Sequence, residues 1–351
     1  MKKTLIALAA GLATLGAHAQ SQVTMFGVID TAISRYQVTG GTKLTEMDTD
    51  GIQSSRIGFR GTEDLGGGMR ATFWIEGALA GDTGAGALSF ERRATVGLIG
   101  PWGEVRFGRD YTPTYNVQSD FSGPWVTNGV GESMVYRARA TFYGNSNAGQ
   151  TTHVRASNAI NYFLPKSFGN LSGQIMYALG EATNNSSTGD YIGGQLNYRM
   201  GAFTIGGAYS KTEGGLTQPA SRPRDITSSS LGMSYETKAF TVQGLYGEDR
   251  VLMPLREKRL KAYTVGLTVP VGQGEFRASL GRASTNYPGS SFKARKYAIG
   301  YVHHLSKRTA LYVTHGRLNN DAGGNFTVGG TPPGVVNRAS TGQNFGIRHA
   351  F

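Results

Sequence analysis

Three arginines occupy the same kind of position in this chain. Arg56 in SSRIGFRG, Arg92 in FERRATVG and Arg155 in VRASNAI each follow a long polar stretch, and each lies seven to nine residues ahead of a short turn-like segment. A guanidinium stays charged at any working pH and forks onto carboxylates and phosphates. Several of them at one depth around an opening would favour the passage of anions. Glu76, in TFWIEG, falls at a matching distance from its own turn and supplies a carboxylate that could pair with Arg56 or Arg92 and hold the guanidinium planes upright. Asp110 and Asp120 are further candidate acidic partners, expected on the long third loop. Taken singly, each charge is as well read as a solvated surface group; the shared depth is what argues for a site.

Other chemistries find less support. The histidines beyond the first 19 residues are His153, His303, His304, His315 and His349, and none stands beside a serine and a carboxylate in a recognisable triad pattern. No His/Asp/Glu spacing suggests a metal site, and no cofactor is expected. DLGGGM has the glycines of a phosphate cradle, but no helical pattern follows it, so it reads as a hairpin turn. The net charge of +12 is dispersed over strands and loops rather than gathered into a patch, which argues against a nucleic-acid partner.

The elements that position the arginines are strands. In RIGFRG, Ile57 and Phe59 alternate with Arg56 and Arg60, and in MRATFWIEG, Met69, Ala71, Phe73 and Ile75 oppose Arg70, Thr72 and Glu76. The same period of two marks Val105 and Phe107, Leu171 to Tyr177, Leu196 and Tyr198, Tyr263 to Val269, and Phe276 to Leu280. Each is a two-faced strand. Parity sets Arg56 and Arg155 opposite the apolar face. Arg92 and Arg93 must point to different faces unless a bulge intervenes; parity with Val96 and Leu98 selects Arg93, and the choice stays open at this level.

The connections alternate in length. Short links lie at 63–68, 99–103, 164–170, 199–202, 236–239, 270–274 and 304–308, and long polar ones near 34–54, 78–90, 111–153, 180–190, 211–229, 248–260, 283–295 and 317–340. Seven short and eight long connections make sixteen strands. Long loops at one end and short turns at the other are the habit of transmembrane β-barrels, whose wet lumen face keeps mean hydropathy low, here −0.28. In hydrocarbon a sheet survives only when closed, so the last strand must pair with the first. The expected fold is therefore all-β, a transmembrane 16-stranded antiparallel β-barrel too wide for side chains to fill.

The opening MKKTLIALAAGLATLGAHAQ joins Lys2 and Lys3 to an apolar run and the small-x-small site Ala17-His18-Ala19. It reads as a secretory signal peptide over 1–19, cleaved to leave one barrel domain over 20–351. The absence of cysteine means that an exported chain must be stabilised without disulfides.

VTMFGVID, SSRIGFRGTEDLGGGMRATFWIEG, FERRATVGLIGPWGEVRFGRDYTP, RASNAINYFLP, YVHHLSKRTALY and the closing FGIRHAF together resemble the trimeric general-diffusion porins of betaproteobacteria. The resemblance spans essentially the whole chain after the leader. It implies a homotrimer, a third long loop folded inward as a constriction loop, loop 78–89 as a latch between subunits, and Arg92 rather than Arg93 in the lumen. Independently, seven aromatics in 111–153, from Tyr111 to Tyr143, are suited to anchor that loop against a wall.

The expected activity is passive diffusion of small anionic or neutral solutes through a water-filled outer-membrane channel, favouring anions at Arg56, Arg92, Arg93 and Arg155. A substrate-specific anion channel or a surface adhesin are the alternatives. Loop cations such as Arg222, Arg224, Lys258 and Arg259 would meet lipopolysaccharide. In FGIRHAF, Phe345, Ile347 and Phe351 share the apolar parity, and the strand is expected to pair with VTMFGVID. The terminal Phe351 resembles the signal that the outer-membrane assembly machinery reads.

Overall fold

The computed structural model describes residues 22–85, 89–142, 153–181, 187–214, 225–252, 257–286, 291–330 and 332–351. The leader, Tyr143, Arg222 and Arg224 lie outside the described residues. Alternation of apolar and polar side chains is obeyed along a single antiparallel sheet of 17 strand segments. They are β1 (Gln22–Val38), β2 (Lys43–Thr49), β3 (Arg56–Gly66), β4 (Met69–Ala78), β5 (Arg93–Gly100), β6 (Gly103–Tyr111), β7 (Arg155–Phe163), β8 (Leu171–Ala178) and β9 (Tyr191–Met200). They continue as β10 (Phe203–Thr212), β11 (Ile226–Glu236), β12 (Thr241–Leu252), β13 (Glu257–Val271), β14 (Gly274–Thr285), β15 (Phe292–His304), β16 (Thr309–Asp321) and β17 (Ser340–Ala350). Two helices, α1 (Pro113–Phe121) and α2 (Met134–Phe142), lie between β6 and β7.

The sheet closes because β17 pairs with β1, from Val28↔Ala350 to Val38↔Ser340. The far edge of β1 is shared: its upper half pairs with β2 and its lower half, Gln22 to Val28, with β3. β2 and β3 thus form one stave interrupted at 50–55, so 17 segments make a closed barrel of 16 staves. Closure leaves no edge whose N–H and C=O groups would face hydrocarbon.

The seam joins the expected strands: FGIRHAF pairs with Gly27 to Ile33, which takes in the second half of VTMFGVID, while on its other edge β1 carries β3 over Gln22 to Val28. One expectation is corrected. The long loops expected at 34–54, 248–260 and 283–295 shrink, because β1 runs to Val38, β12 to Leu252 and β14 to Thr285. Above the membrane both faces of a strand can be polar, so polarity there marks water while the hydrogen-bond ladder continues.

Outward side chains are apolar: Val23, Val96, Ile175, Leu231 and Phe345 each expose half or more of their surface. The core lies inside, where the connection between β6 and β7 folds against the wall. Its Val117, Phe121, Met134, Val135 and Ala138 pack on Ala208, Leu245, Leu260 and Ala283, all inward residues of β10 to β14. Small wall residues permit the approach. A Cβ on Gly232 would collide with the Phe121 side chain, and one on Gly266 would lie 2.5 Å from the Gly123 Cα.

Candidate functional site

The docked loop covers the wall from β9 to β17 and leaves open the wall from β3 to β7. On β3 and β4 inward parity brings Arg56, Arg60, Trp74 and Glu76 to the lumen. Glu76, 5% exposed, accepts from Arg92 Nε at 2.6 Å and from Trp74 Nε1 at 3.2 Å, with Arg56 Nε at 3.8 Å. The Tyr111 hydroxyl oxygen accepts from Arg92 Nη2 at 3.1 Å and from Arg155 Nη2 at 3.0 Å. Arg155 also donates through Nε to the Arg92 carbonyl at 2.8 Å and lies over the Tyr111 ring at 4.6 Å. The structure therefore brings Arg92, Arg155 and Glu76 together through hydrogen bonds, with Arg56 beside Glu76.

A second tier lies toward the short turns. Arg106 donates from Nη1 to Asp110 Oδ2 at 2.6 Å and from Nε to Glu104 at 2.8 Å, while Arg93 Nε is 3.4 Å from Asp110 Oδ1. Trp74 is flanked by two cations, Arg93 at 4.4 Å and Arg60 at 5.1 Å from the ring centroid. Cations over aromatic faces are attracted by the ring quadrupole, which holds like charges side by side.

The choice between Arg92 and Arg93 turns out to be false. β5 begins at Arg93, which takes the inward parity of Thr95, and Arg92 precedes the strand and is free of its alternation. Arg92 then turns inward to Glu76, so both guanidiniums reach inward carboxylates.

Two acidic candidates are placed differently from expectation. Asp110 belongs to β6 rather than to the loop, because the ladder continues to Tyr111. Asp120, at the end of α1, does not join the arginines. It accepts from Asn197 Nδ2 at 3.0 Å, and its carbonyl accepts from Gln243 at 2.6 Å, both on the opposite wall. Burial there pushes the Asp120 carboxyl above the usual carboxylate range. Sequence reasoning missed Arg60, Arg106 and Glu104 as site members. Their parity was readable, but their bonding partners come from neighbouring strands.

The loop is held by buried charge. Arg139 on α2, 1% exposed, bonds Asp249 Oδ2 on β12 at 2.8 Å, Gln118 on α1 at 3.1 Å and the Ser229 carbonyl at 2.9 Å. Glu132 binds Arg137 through two bonds of 2.7 and 2.6 Å and lies 3.5 Å from Lys296 on β15. His153, behind α2 and stacked at 6.0 Å on Tyr136, has its pKa pulled down to about 3 by burial and by the charges of Arg139 and Arg155. It stays neutral and adds nothing to the positive field.

Comparison with known proteins agrees with this geometry. Residues 4–323 match the Gram-negative porin family. The outer membrane porin protein 32 of Delftia acidovorans is 38% identical over 100% of both chains, and an outer membrane porin protein of Bordetella pertussis is 28% identical over 100% of both. Among solved structures, the anion-selective porin from Comamonas acidovorans superposes with a TM-score of 0.84 at 33% identity, covering 95% of this chain and 100% of its own. A closed barrel with an inward loop, an arginine-rich wall opposite that loop and these relatives lead to one conclusion: the chain belongs to the Gram-negative porins, channel-forming β-barrels of the outer membrane.

Proposed function

We propose that this porin is an anion-preferring diffusion channel for small hydrophilic solutes, with its constriction between the docked loop and the arginine wall. One observation carries the reading. Six arginines, Arg56, Arg60, Arg92, Arg93, Arg106 and Arg155, share that wall with three carboxylates, Glu76, Glu104 and Asp110. On the loop side the carboxylates are already engaged, Glu132 by Arg137 and Lys296, Asp249 by Arg139, Asp120 by Asn197. Among the described residues the arginine wall thus carries three more guanidinium groups than carboxylates, with Asp50, at the break between β2 and β3, the further acid within reach of the Arg92 charge. Each unit charge a few ångströms from a hydrated anion contributes about 1 kcal/mol in water-like surroundings. The similarity to a protein described as anion-selective supports the same reading. The wall is a passive conduit rather than a catalyst, its carboxylates being held by guanidinium groups. A reversal potential measured across a salt gradient tests the reading, and cation preference would end it.

The assembly proposed is a homotrimer. Tyrosines that membrane proteins place at the lipid–water boundary are outward on Tyr198, Tyr209, Tyr235, Tyr246, Tyr263 and Tyr297. Among the described residues no tyrosine or tryptophan points outward from the strands β17 and β1 to β6 themselves, where Met25, Ile33, Val96 and Phe345 are exposed instead; Trp102 is exposed in the turn between β5 and β6. An apolar face without a boundary belt suits another copy of the chain better than lipid. Residues 78–89 would latch there: Gly81 N–H donates to Thr49 Oγ1 at 3.2 Å, keeping the base of that loop on the outer side of β2. Cleavage after Ala19, contact with lipopolysaccharide and recognition of Phe351 by the assembly machinery complete the proposal; the mass of the mature chain tests the cleavage.

A further inference from the structure

The outward faces of β14, β15 and β16 change character together near the long-loop end. On β15 the outward residues from that end are Lys293, Arg295, Tyr297 and Ile299; on β16 they are Arg317, His315 and Val313; on β14, Arg282 and Leu280. Arg282, Arg295 and Arg317 each stand about ten residues from the short turn of their strand. At about 3.3 Å per residue and a tilt near 40° that is roughly 25 Å, the height of the apolar band. The three guanidiniums therefore emerge where hydrocarbon gives way to headgroups.

Their register concentrates the charge. Arg282 is directly opposite Arg295 across the β14–β15 ladder, and Arg317 is opposite Tyr297 across β15–β16. Like charges directly opposite on adjacent strands repel. Among the described residues the one carboxylate in the group is Asp321, 3.5 Å from Arg295, and both are largely exposed. The contrast with the neighbouring strands is sharp: there Arg250, Arg259 and Lys261 are answered by Glu248 and Glu257. Four residues nearer the short turns, about 10 Å lower by the same rise and tilt, Leu267, Ala278, Ile299 and Val313 line an outward apolar groove of about 480 Å³.

We propose that this cation cluster and the groove beneath it form one binding site for a phosphorylated glycolipid of the outer leaflet, with its phosphates on Arg282, Arg295 and Arg317 and an acyl chain along Ile299 and Val313. The site rests on the outer-membrane reading of the barrel and on nothing in the lumen. It has the two halves that such a lipid needs, an anion-binding rim and an apolar trough, in the right vertical order. Arg282 and Arg317, without a carboxylate partner among the described residues, find their counterions in the lipid.

The test uses the purified full-length protein in detergent, with bisphosphorylated lipid A, its dephosphorylated form and inorganic phosphate as probes, and native mass spectrometry as the readout. Bisphosphorylated lipid A is expected to stay bound, and R282Q/R295Q to bind it at least tenfold more weakly, with an unchanged reversal potential. R282K/R295K, which keeps the charge, is expected to retain binding. R250Q, whose charge Glu248 already answers, is expected to behave as wild type. Equal binding of the dephosphorylated lipid, an unaffected R282Q/R295Q protein, loss of binding in R282K/R295K, or displacement of the lipid by inorganic phosphate at equal concentration would each overturn the site. A wild-type channel without anion preference would sink the channel reading and leave this one standing.

Discussion

Arg139 Nε lies 2.8 Å from Asp249 Oδ2, with both side chains 1% exposed, and the pair ties the inner loop to the barrel wall. A buried pair contributes little over a well-packed apolar one, but removing one partner strands the other charge at a cost of about 3–5 kcal/mol. Asp249→Ala should therefore release α2 from β12 rather than unfold the barrel, whose ladder does not depend on the pair. The expected result is noisier single-channel current and a higher size limit in solute-swelling assays, at unchanged heat stability of the assembly. A quiet channel with the wild-type size limit would show that the apolar contacts of Val135 and Phe121 dock the loop unaided.

Selectivity should follow the arginine wall and ignore Asp120. Arg155→Gln removes a cation that bonds only neutral acceptors, the Arg92 carbonyl and the Tyr111 hydroxyl, so it leaves no carboxylate stranded. The anion-to-cation permeability ratio is expected to fall roughly two- to fivefold, the equivalent of up to about 1 kcal/mol. Asp120→Asn should leave the ratio where it is, since that carboxylate sits on the opposite wall beside Asn197. The reverse ranking in bi-ionic potentials would move the selectivity filter to the loop.

How far these residues could be read beforehand follows from which interactions are local. Inside and outside alternate with period two within a strand, so Arg56, Glu76 and the lipid-facing Phe345 needed only parity. The common depth of Arg56, Arg92 and Arg155 needed only counting to the next turn. Asp120 needed the direction in which a helix of nine residues docks, and that is set by Gly206 and Gly232, on strands far along the chain, making room for Phe121. Arg92 evades parity because it lies one residue before its strand. Loop lengths are overestimated from the pattern because polar alternation above the bilayer carries no apolar face to mark a strand.

Acid should loosen the loop through His153. Its pKa is about 3 in the docked loop against 6.5 for a free imidazole, so the docked state excludes a proton that a released loop accepts. Above pH 6.5 the histidine is neutral in both states and the full docking stability is present. As pH falls from 6.5 toward 3, docking loses about 1.4 kcal/mol per unit. Current fluctuations should rise between pH 6 and pH 4.5 in the wild type and much less in His153→Gln, with recordings at constant ionic strength. Identical pH profiles would assign the acid response to other groups.

The seam supplies the last prediction. Phe351 exchanges both backbone bonds with Gly27, N–H to carbonyl at 3.1 Å each way, and its ring covers the Gly27 Cα so closely that a Cβ there would collide with it. Gly27 faces Ile57 of β3 on one edge and Phe351 on the other, so the terminal residue adds the rung below Val28↔Ala350 to the seam that closes the barrel. Deleting Phe351 removes those two bonds and the cover, but leaves the ladder from Val28↔Ala350 upward and all of the lumen intact. Assembled barrels lacking Phe351 should therefore conduct and select as wild type, because no arginine of the wall has moved. Fewer of them should reach the membrane, because the lost rung lengthens the unpaired edge of β1 at the seam and an open edge is what hydrocarbon excludes. Counting heat-modifiable barrels against total chain in membranes separates the two effects. Normal yield with altered conductance would place the role of Phe351 in the pore instead of in closure.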